Sequence, residues 1–424
     1  MFKSFFSKSI ATATAALATS SSSSSSSDAA TMSISVSANV LSSTIDISDR
    51  AKAAYIGMMC GDSLSMPVHW YYSPSDITRD FGRITDFQAP KERHPSSIMQ
   101  LSNTGGAGRG GQQGSIIGDV INHGKKQFWG KPNMHYHQGM KAGENTLNAI
   151  VARLLVRTLI ENEGKGIGVF DDGTEQPASF LSAYVKFMTT PGSHNDTYAE
   201  TYHRMFFKNL QQGKAPSQCA DDDGHNVASM GGFVLLPPPT LLAAAYAASS
   251  SKDGVNRIDA AVLAAKRAAV KQMYTTHNSK QLQAFAEVYA ELLARVLLGE
   301  DLKVSVAAAA KKCGFDVARL VAETGSRPDT TVIGPKFGSA CYIQDSLPSL
   351  LFLAYRYADS PELALIANTN AGGENAHRGA ALGALMGASL GMRGWPERWT
   401  KTLLETKAIH EEAEAFGKLC AKTF

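Results

Sequence analysis

Five cysteines in 424 residues (Cys60, Cys219, Cys313, Cys341 and Cys420) are too few, too scattered and odd in number for a disulfide framework. None forms a Cys-x-x-Cys pair, which excludes a zinc ribbon and points to reduced thiols inside a cell. Aromatic residues are only 8% of the chain, while Ala and Leu abound, a balance that favours helices over sheets. A net charge of +3 is too small to imply nucleic-acid binding. The longest apolar region, 233–248, is broken by Pro237-Pro238-Pro239, so no membrane span is expected. A Gly-x-x-x-x-Gly-Lys-Ser/Thr motif is also lacking, which leaves P-loop nucleotide hydrolysis without support.

What is present begins with a Ser-rich and Ala-rich segment holding Lys3 and Lys8, with no acid before Asp28. Residues 1–44 read as an organellar transit segment, mitochondrial or plastid, or as a disordered tail of a cytoplasmic protein. Residues 45–424 are long enough to bury one large core (44% hydrophobic). A capped helix is expected from about Ser48, ended by Pro67. The glycine-rich stretch 71–139 is expected to be a loop laid over a site. Periodicity then predicts helices over 144–161, 177–188, 196–211, 239–248, 257–274, 280–298, 302–312, 345–357, 360–369, 375–390, 396–406 and 411–423. Only "TTVIGPKFG" looks strand-like, and it reads better as extended loop. The expectation is an all-α fold, a single large helical bundle domain.

One tripeptide occurs twice at a helix start: Gly143-Glu144-Asn145 and Gly373-Glu374-Asn375. Helix N-termini offer unpaired N–H groups and partial positive charge, so carboxylates are stabilised there. If the two helices face each other, Glu144 and Glu374 converge, and paired acids can hold a divalent cation or divide acid and base roles. His377, three residues after Glu374, shares its helical face. Asp196, Glu200 and His203 recur on one face of the predicted 196–211 helix, where a solvated, capped helix is the plainer reading. Asp221–Asp223 are expected to be solvated, and His-x-His at His135 and His137, with His123, is weak as a metal signal. In the long loop, Arg109, Lys125 and Lys126 could meet a pyrophosphate, and Phe128, Trp129 or Tyr136 could stack on a base.

The segments "YIGMMCGDSLSMP", "GENTLNAIVARLLV" and "SLPSLLFLAYRYADSPELALIANTNAGGENAHRGAALGALMGA" resemble the ADP-ribosylglycohydrolase family, which includes J1-type crystallins. The resemblance runs from about Ile45 to the C-terminus. It implies an all-α fold and hydrolysis of glycosidic bonds of ADP-ribose, commonly with two Mg²⁺ or Mn²⁺ ions. In the family those ions sit on a Thr-Asp-Asp-Thr run and an Asp-x-Asp-Thr run. Here the corresponding positions read Gly143-Glu144-Asn145-Thr146 and Glu374-Asn375-Ala376-His377, His69 stands where an acid is usual, and an arginine expected near "GGFVLLPP" is missing. Two carboxylates neutralise one divalent ion and not two. The cofactor expectation is therefore one divalent ion (Mg, Mn or a transition metal) or none.

On this reading Glu144, Glu374 and His69 are the catalytic candidates, and Glu144, Thr146 and Glu374 the metal ligands. Asp62, Asn145, His225, Asn226, Asn375 and His377 are the candidates for substrate contacts. The expected partner is a small-molecule or ADP-ribosylated substrate, with no nucleic acid and no membrane; the sequence does not set the oligomeric state. The competing reading is a non-catalytic, crystallin-like relative that has lost the two-metal site.

Overall fold

Two helices that are buried on nearly every side organise the chain. A helix that is apolar or small all round belongs in a core and not at a surface. Helix α1 (Ile47–Ser65), capped by the Asp46 side chain on the Asp49 N–H at 2.9 Å, is buried almost throughout from Ala51 onward. Helix α13 (Asn375–Leu390) is buried from Asn375 to Ser389. The structure, a computed structural model, describes residues 45–109, 114–164, 178–223, 226–251 and 254–422. The 1–44 segment lies outside the described residues.

Between these two helices the chain forms α2 (Pro74–Phe81), α3 (Leu147–Glu161), α4 (Ala178–Thr189), α5 (Thr201–Gln211), α6 (Pro237–Ser250) and α7 (Gly254–Met273). There follow α8 (Lys280–Leu297), α9 (Leu302–Lys312), α10 (Val317–Thr324), α11 (Ile343–Arg356) and α12 (Pro361–Ala371). After α13 come the short α14 (Glu397–Thr400) and α15 (Thr406–Ala421). Among the described residues there are isolated bridges but no strand, so the fold is all-α. None of the described helices is long and apolar enough to cross a membrane.

α1 and α13 make the most extensive helix pair, and glycine explains how closely they meet. A Cβ on Gly61 would lie 2.1 Å from the Gly379 carbonyl oxygen, one on Gly383 2.0 Å from that of Gly57, and one on Gly387 2.3 Å from that of Ala53. These contacts run in antiparallel register. They bring the end of α1 and the turn after it against the start of α13. α15 packs on the other side of α1, and α6, α7 and α8 form a neighbouring layer.

Several predicted boundaries shift for local reasons. The expected start at 144 moves to Leu147, because Glu144 turns back to accept from the Lys141 N–H. The expected start at 196 moves to Thr201, because Asp196 and Glu200 spend their carboxylates on other elements. α6 begins at Pro237 and not at 239; its three prolines fill a first turn that needs no N–H donors. The 396–406 helix contracts to α14, and the last helix begins earlier, at Thr406. α2 breaks the stretch 71–139 that was expected to be loop, and α10 was not anticipated. "TTVIGPKFG" is loop, with one isolated bridge between Ile333 and Phe337.

Candidate functional site

The antiparallel register of α1 and α13 delivers His69 and Trp70 to the start of α13. The two segments lock through backbone bonds: Trp70 N–H donates to Gly373 O at 2.8 Å, and Gly373 N–H to Tyr71 O at 2.7 Å. Gly373 has φ +67°, and a Cβ there would stand 2.0 Å from Ser339 O, so only glycine suits this turn. Trp70 itself holds φ 64°, a costly conformation for a bulky residue, of the kind that clusters at functional sites.

The product is a fully buried carboxylate. Trp70 Nε1–H donates to Glu374 Oε2 at 2.5 Å, and His69 Nε2 lies 3.2 Å from Oε1. His377 Nδ1 is 2.5 Å from the same Oε1 and 3.7 Å from Glu200 Oε1. Burial opposes charge on His377, but the two carboxylates prevail and raise it to about 9. Burial would likewise raise Glu374, yet His377 and His69 hold it well below the usual carboxylate range. His69 is pushed down to about 3, chiefly by burial.

Behind His69 runs a relay that joins three distant segments. His69 Nδ1 meets His137 Nε2 at 2.8 Å, and His137 Nδ1 meets Asp196 Oδ1 at 2.8 Å. Asp196 Oδ2 accepts the Leu147 N–H at 2.8 Å, so this acid caps α3 from outside that helix. Burial works against the Asp196 charge, but His137 and the Leu147 N–H keep its pKa lowered. A second chain holds Glu200: Asn148 Nδ2–H donates to Oε2 at 2.7 Å, His203 Nε2 pairs with Asn148 Oδ1 at 3.0 Å, and the Tyr184 hydroxyl pairs with His203 Nδ1 at 2.6 Å. A Cβ on Gly231 would lie 2.0 Å from Glu200 Oε2, so that glycine makes room for the carboxylate. Burial, and then the Glu374 charge against the opposing pull of His377, leave the Glu200 pKa raised.

Beside this group lie two adjoining cavities of about 90 and 70 Å³ that share Trp70, Tyr198, Thr201, Asn226 and Cys341. Arg109 and Tyr136 line the first, and Glu200 lines the second. Trp70, Tyr136 and Tyr198 meet edge to face with centroids 4.5–5.1 Å apart, and Trp129 stacks on Tyr198 at 5.4 Å.

The structure brings together Glu374, His69 and His377 of the expected residues, and Asn226 and Arg109 on the cleft. It does not bring Glu144 to Glu374. The Glu144 carboxylate accepts from Lys141 N–H at 2.8 Å and Asn195 Nδ2–H at 3.4 Å. It faces a separate groove of about 450 Å³ with Arg153, Arg157 and His194. The expected metal set Glu144, Thr146 and Glu374 is therefore not assembled. The Thr146 hydroxyl donates to Asp62 Oδ1 at 2.7 Å, while Asn145 Nδ2–H and the Thr146 N–H donate to Oδ2 at 2.9 and 2.8 Å. Asp62 thus ties α1 to the start of α3. Asn375 Nδ2–H is spent on Val68 O and Thr369 O. His225 lies outside the described residues. Lys125 pairs with Asn195 and Lys126 with Asp119, not with the cleft. Of the weak His signal, His137 alone joins the site, while His135 is bonded to Pro67 O.

Sequence reading passed over Asp196, Glu200 and His203 as parts of a solvated helix. All three are buried, and the signal that marked them was their recurrence four and three residues apart, at 196, 200 and 203. For a metal, the two-ion oxygen pattern does not fit these residues, since Glu144 points elsewhere and the Thr146 hydroxyl is spent on Asp62. His69, Glu374 and His377 are the group that could hold an ion: one donor atom from each, all buried, lie within 4.8 Å of one another.

Comparison with known proteins agrees with the all-α fold. A family model described as ADP-ribosylglycohydrolase matches residues 43–423. A solved structure titled "ADP-ribosylglycohydrolase-related protein complex" superposes with a TM-score of 0.54 at 20% identity, covering 88% of this chain and 99% of that one, a likeness that shows the fold. Among curated proteins nothing matches. With a matched span that takes in almost everything after the Ser-rich segment, the chain belongs to the ADP-ribosylglycohydrolase family.

Proposed function

We propose that the protein is a glycoside-type hydrolase that cleaves an N- or O-glycosidic bond of an ADP-ribose-like or other ribosyl substrate. One observation carries this reading: a buried glutamate, Glu200, opens onto the aromatic cleft, with its pKa raised by burial and by Glu374. A group tuned upward from the carboxylate range suits proton transfer near neutral pH. Glu200 takes a proton from a water whose oxygen attacks the anomeric carbon. The glycosidic bond breaks through an oxocarbenium-like state, and the proton passes to the departing nitrogen or oxygen. Trp70, Tyr136 and Tyr198 offer faces for the ribose or base, and Arg109 offers a cation for a phosphate. Glu374 and His69, expected to be catalytic, lie behind Trp70 and position the site. Glu144 has no part in it.

The test is release of ADP-ribose from Arg-linked and Ser-linked ADP-ribosylated peptides and from O-acetyl-ADP-ribose, followed by mass spectrometry. The expected result is turnover by the native protein and a loss of about 100-fold or more in Glu200→Gln, with an unchanged fold. Full activity in that variant would remove Glu200 from the mechanism.

A second reading, a non-catalytic ligand-binding or crystallin-like relative, draws on the complete burial of Glu374 behind Trp70. Absence of turnover on every substrate, with ADP-ribose still bound, would favour it.

A further inference from the structure

Hydrogen positions along the relay are set from one end. Asp196 accepts the Leu147 N–H at Oδ2 and the Tyr198 N–H at Oδ1, and it is acceptor-only when ionised. His137 Nδ1, 2.8 Å from Oδ1, therefore carries hydrogen. In neutral His137 the Nε2 atom is then a lone pair, and His69 Nδ1, 2.8 Å away, donates to it. That choice leaves His69 Nε2 as a bare lone pair 3.2 Å from Glu374 Oε1. His377 Nδ1 reaches the same oxygen at 2.5 Å but without the alignment of a hydrogen bond, although the residue is only 2% exposed. The His69 Nε2 lone pair facing a carboxylate in a low-dielectric interior is repelled unless a cation lies between them, and a metal ion seated there would take the place of the His377 proton.

The geometry points to a mononuclear transition-metal site in which a divalent ion of the zinc class is held by His69 Nε2, His377 Nδ1 and Glu374. Two imidazoles and a carboxylate suit Zn²⁺, Fe²⁺, Mn²⁺ or Co²⁺, whereas Mg²⁺ demands an oxygen shell that these residues do not supply. Glu374 and neighbouring Glu200 together match the charge of one divalent ion. The His69–His137–Asp196 chain is the support such ligands use, each donating its second ring N–H outward to fix tautomer and ring orientation. Three protein ligands would leave a coordination position open, the pattern of a site that binds a further molecule.

The full-length protein, purified without chelator, is analysed for metals, then stripped and titrated with Co²⁺ while visible absorption is recorded. The expected result is about one transition ion per native chain and one Co²⁺ per stripped chain with visible ligand-field bands. Mg²⁺ should neither produce nor displace the signal. The bands should vanish in His377→Gln and in His69→Gln, and His137→Gln should weaken binding by about 10–100-fold. A folded native chain that takes up neither Zn²⁺ nor Co²⁺ overturns the assignment and leaves a buried imidazolium–carboxylate pair. Bands that persist in His377→Gln also overturn it. Both readouts need no substrate. A chain that binds the ion and hydrolyses nothing contradicts only the proposed activity, and one that hydrolyses without an ion contradicts only this site.

Discussion

Glu374 carries its charge without solvent, so its energy depends on the three side chains around it, Trp70, His69 and His377. Removing one partner from a buried, hydrogen-bonded charge group leaves the others uncompensated. Glu374→Gln is therefore expected to cost about 3–5 kcal/mol in urea unfolding. Glu144→Gln should stay within about 0.5 kcal/mol, because that carboxylate is partly solvated and accepts only from the Lys141 N–H and, at 3.4 Å, from Asn195. Equal costs would mean the two Gly-Glu-Asn units are equivalent after all. Asp221 gives a pH-dependent case. Burial raises its carboxyl to about 6, and its Oδ2 has no hydrogen-bond partner among the described residues. The unfolded value is about 3.9. Between these limits the folded state holds a proton that the unfolded state lacks, so stability falls as pH rises from about 4 to 6 and stays reduced above. Asp221→Asn should therefore stabilise by about 1–3 kcal/mol at pH 7.5 and by almost nothing at pH 4. An equal effect at both pH values would rule out this ionisation as the cause.

At the scale of elements, the contact between α1 and α13 fixes where the site forms. An alanine methyl at Gly61 would meet the Gly379 carbonyl at 2.1 Å, and backbone cannot swing aside as a side chain can. Gly61→Ala should cost about 1–3 kcal/mol or more through overpacking, read from denaturant unfolding. An unchanged midpoint would show that the helices can separate without penalty. Each of these helices was legible in the sequence, because small and apolar residues recur around both with turn signals at the ends; that they pack on each other was not, since the sequence pointed instead to the helices at Glu144 and Glu374 facing one another. α9 and α13 begin and end where their periodicity does. α2 and α10 were missed because each is only eight residues long and sits between loops, where periodicity is weak. The starts of α3 and α5 were misread for a different reason. Asp196 and Glu200 resemble first-turn acids, but their partners, His137 and Asn148, lie far away in sequence. Local pattern cannot register such a contact.

Across the whole molecule, the repeated Gly-Glu-Asn unit stands at or just ahead of two helix starts, yet only Glu374 joins the candidate site. The all-α family fold survives while, at the family's oxygen-rich positions, Glu144 accepts from a turn and the Thr146 hydroxyl is spent on Asp62. Aromatic and imidazole groups, chiefly Trp70, His69 and His377, surround the remaining carboxylate instead. The central claim is that ligand recognition and chemistry occur in the cleft of Trp70, Tyr136, Tyr198 and Glu200. A crystal structure of the native protein with ADP-ribose tests it most directly. The account predicts the terminal ribose in the cleft against those aromatic rings, with an anomeric-side oxygen hydrogen-bonded to Glu200 and a phosphate toward Arg109. ADP-ribose seated instead in the groove of Glu144, Arg153 and Arg157, with the Trp70 cleft unoccupied, would contradict it.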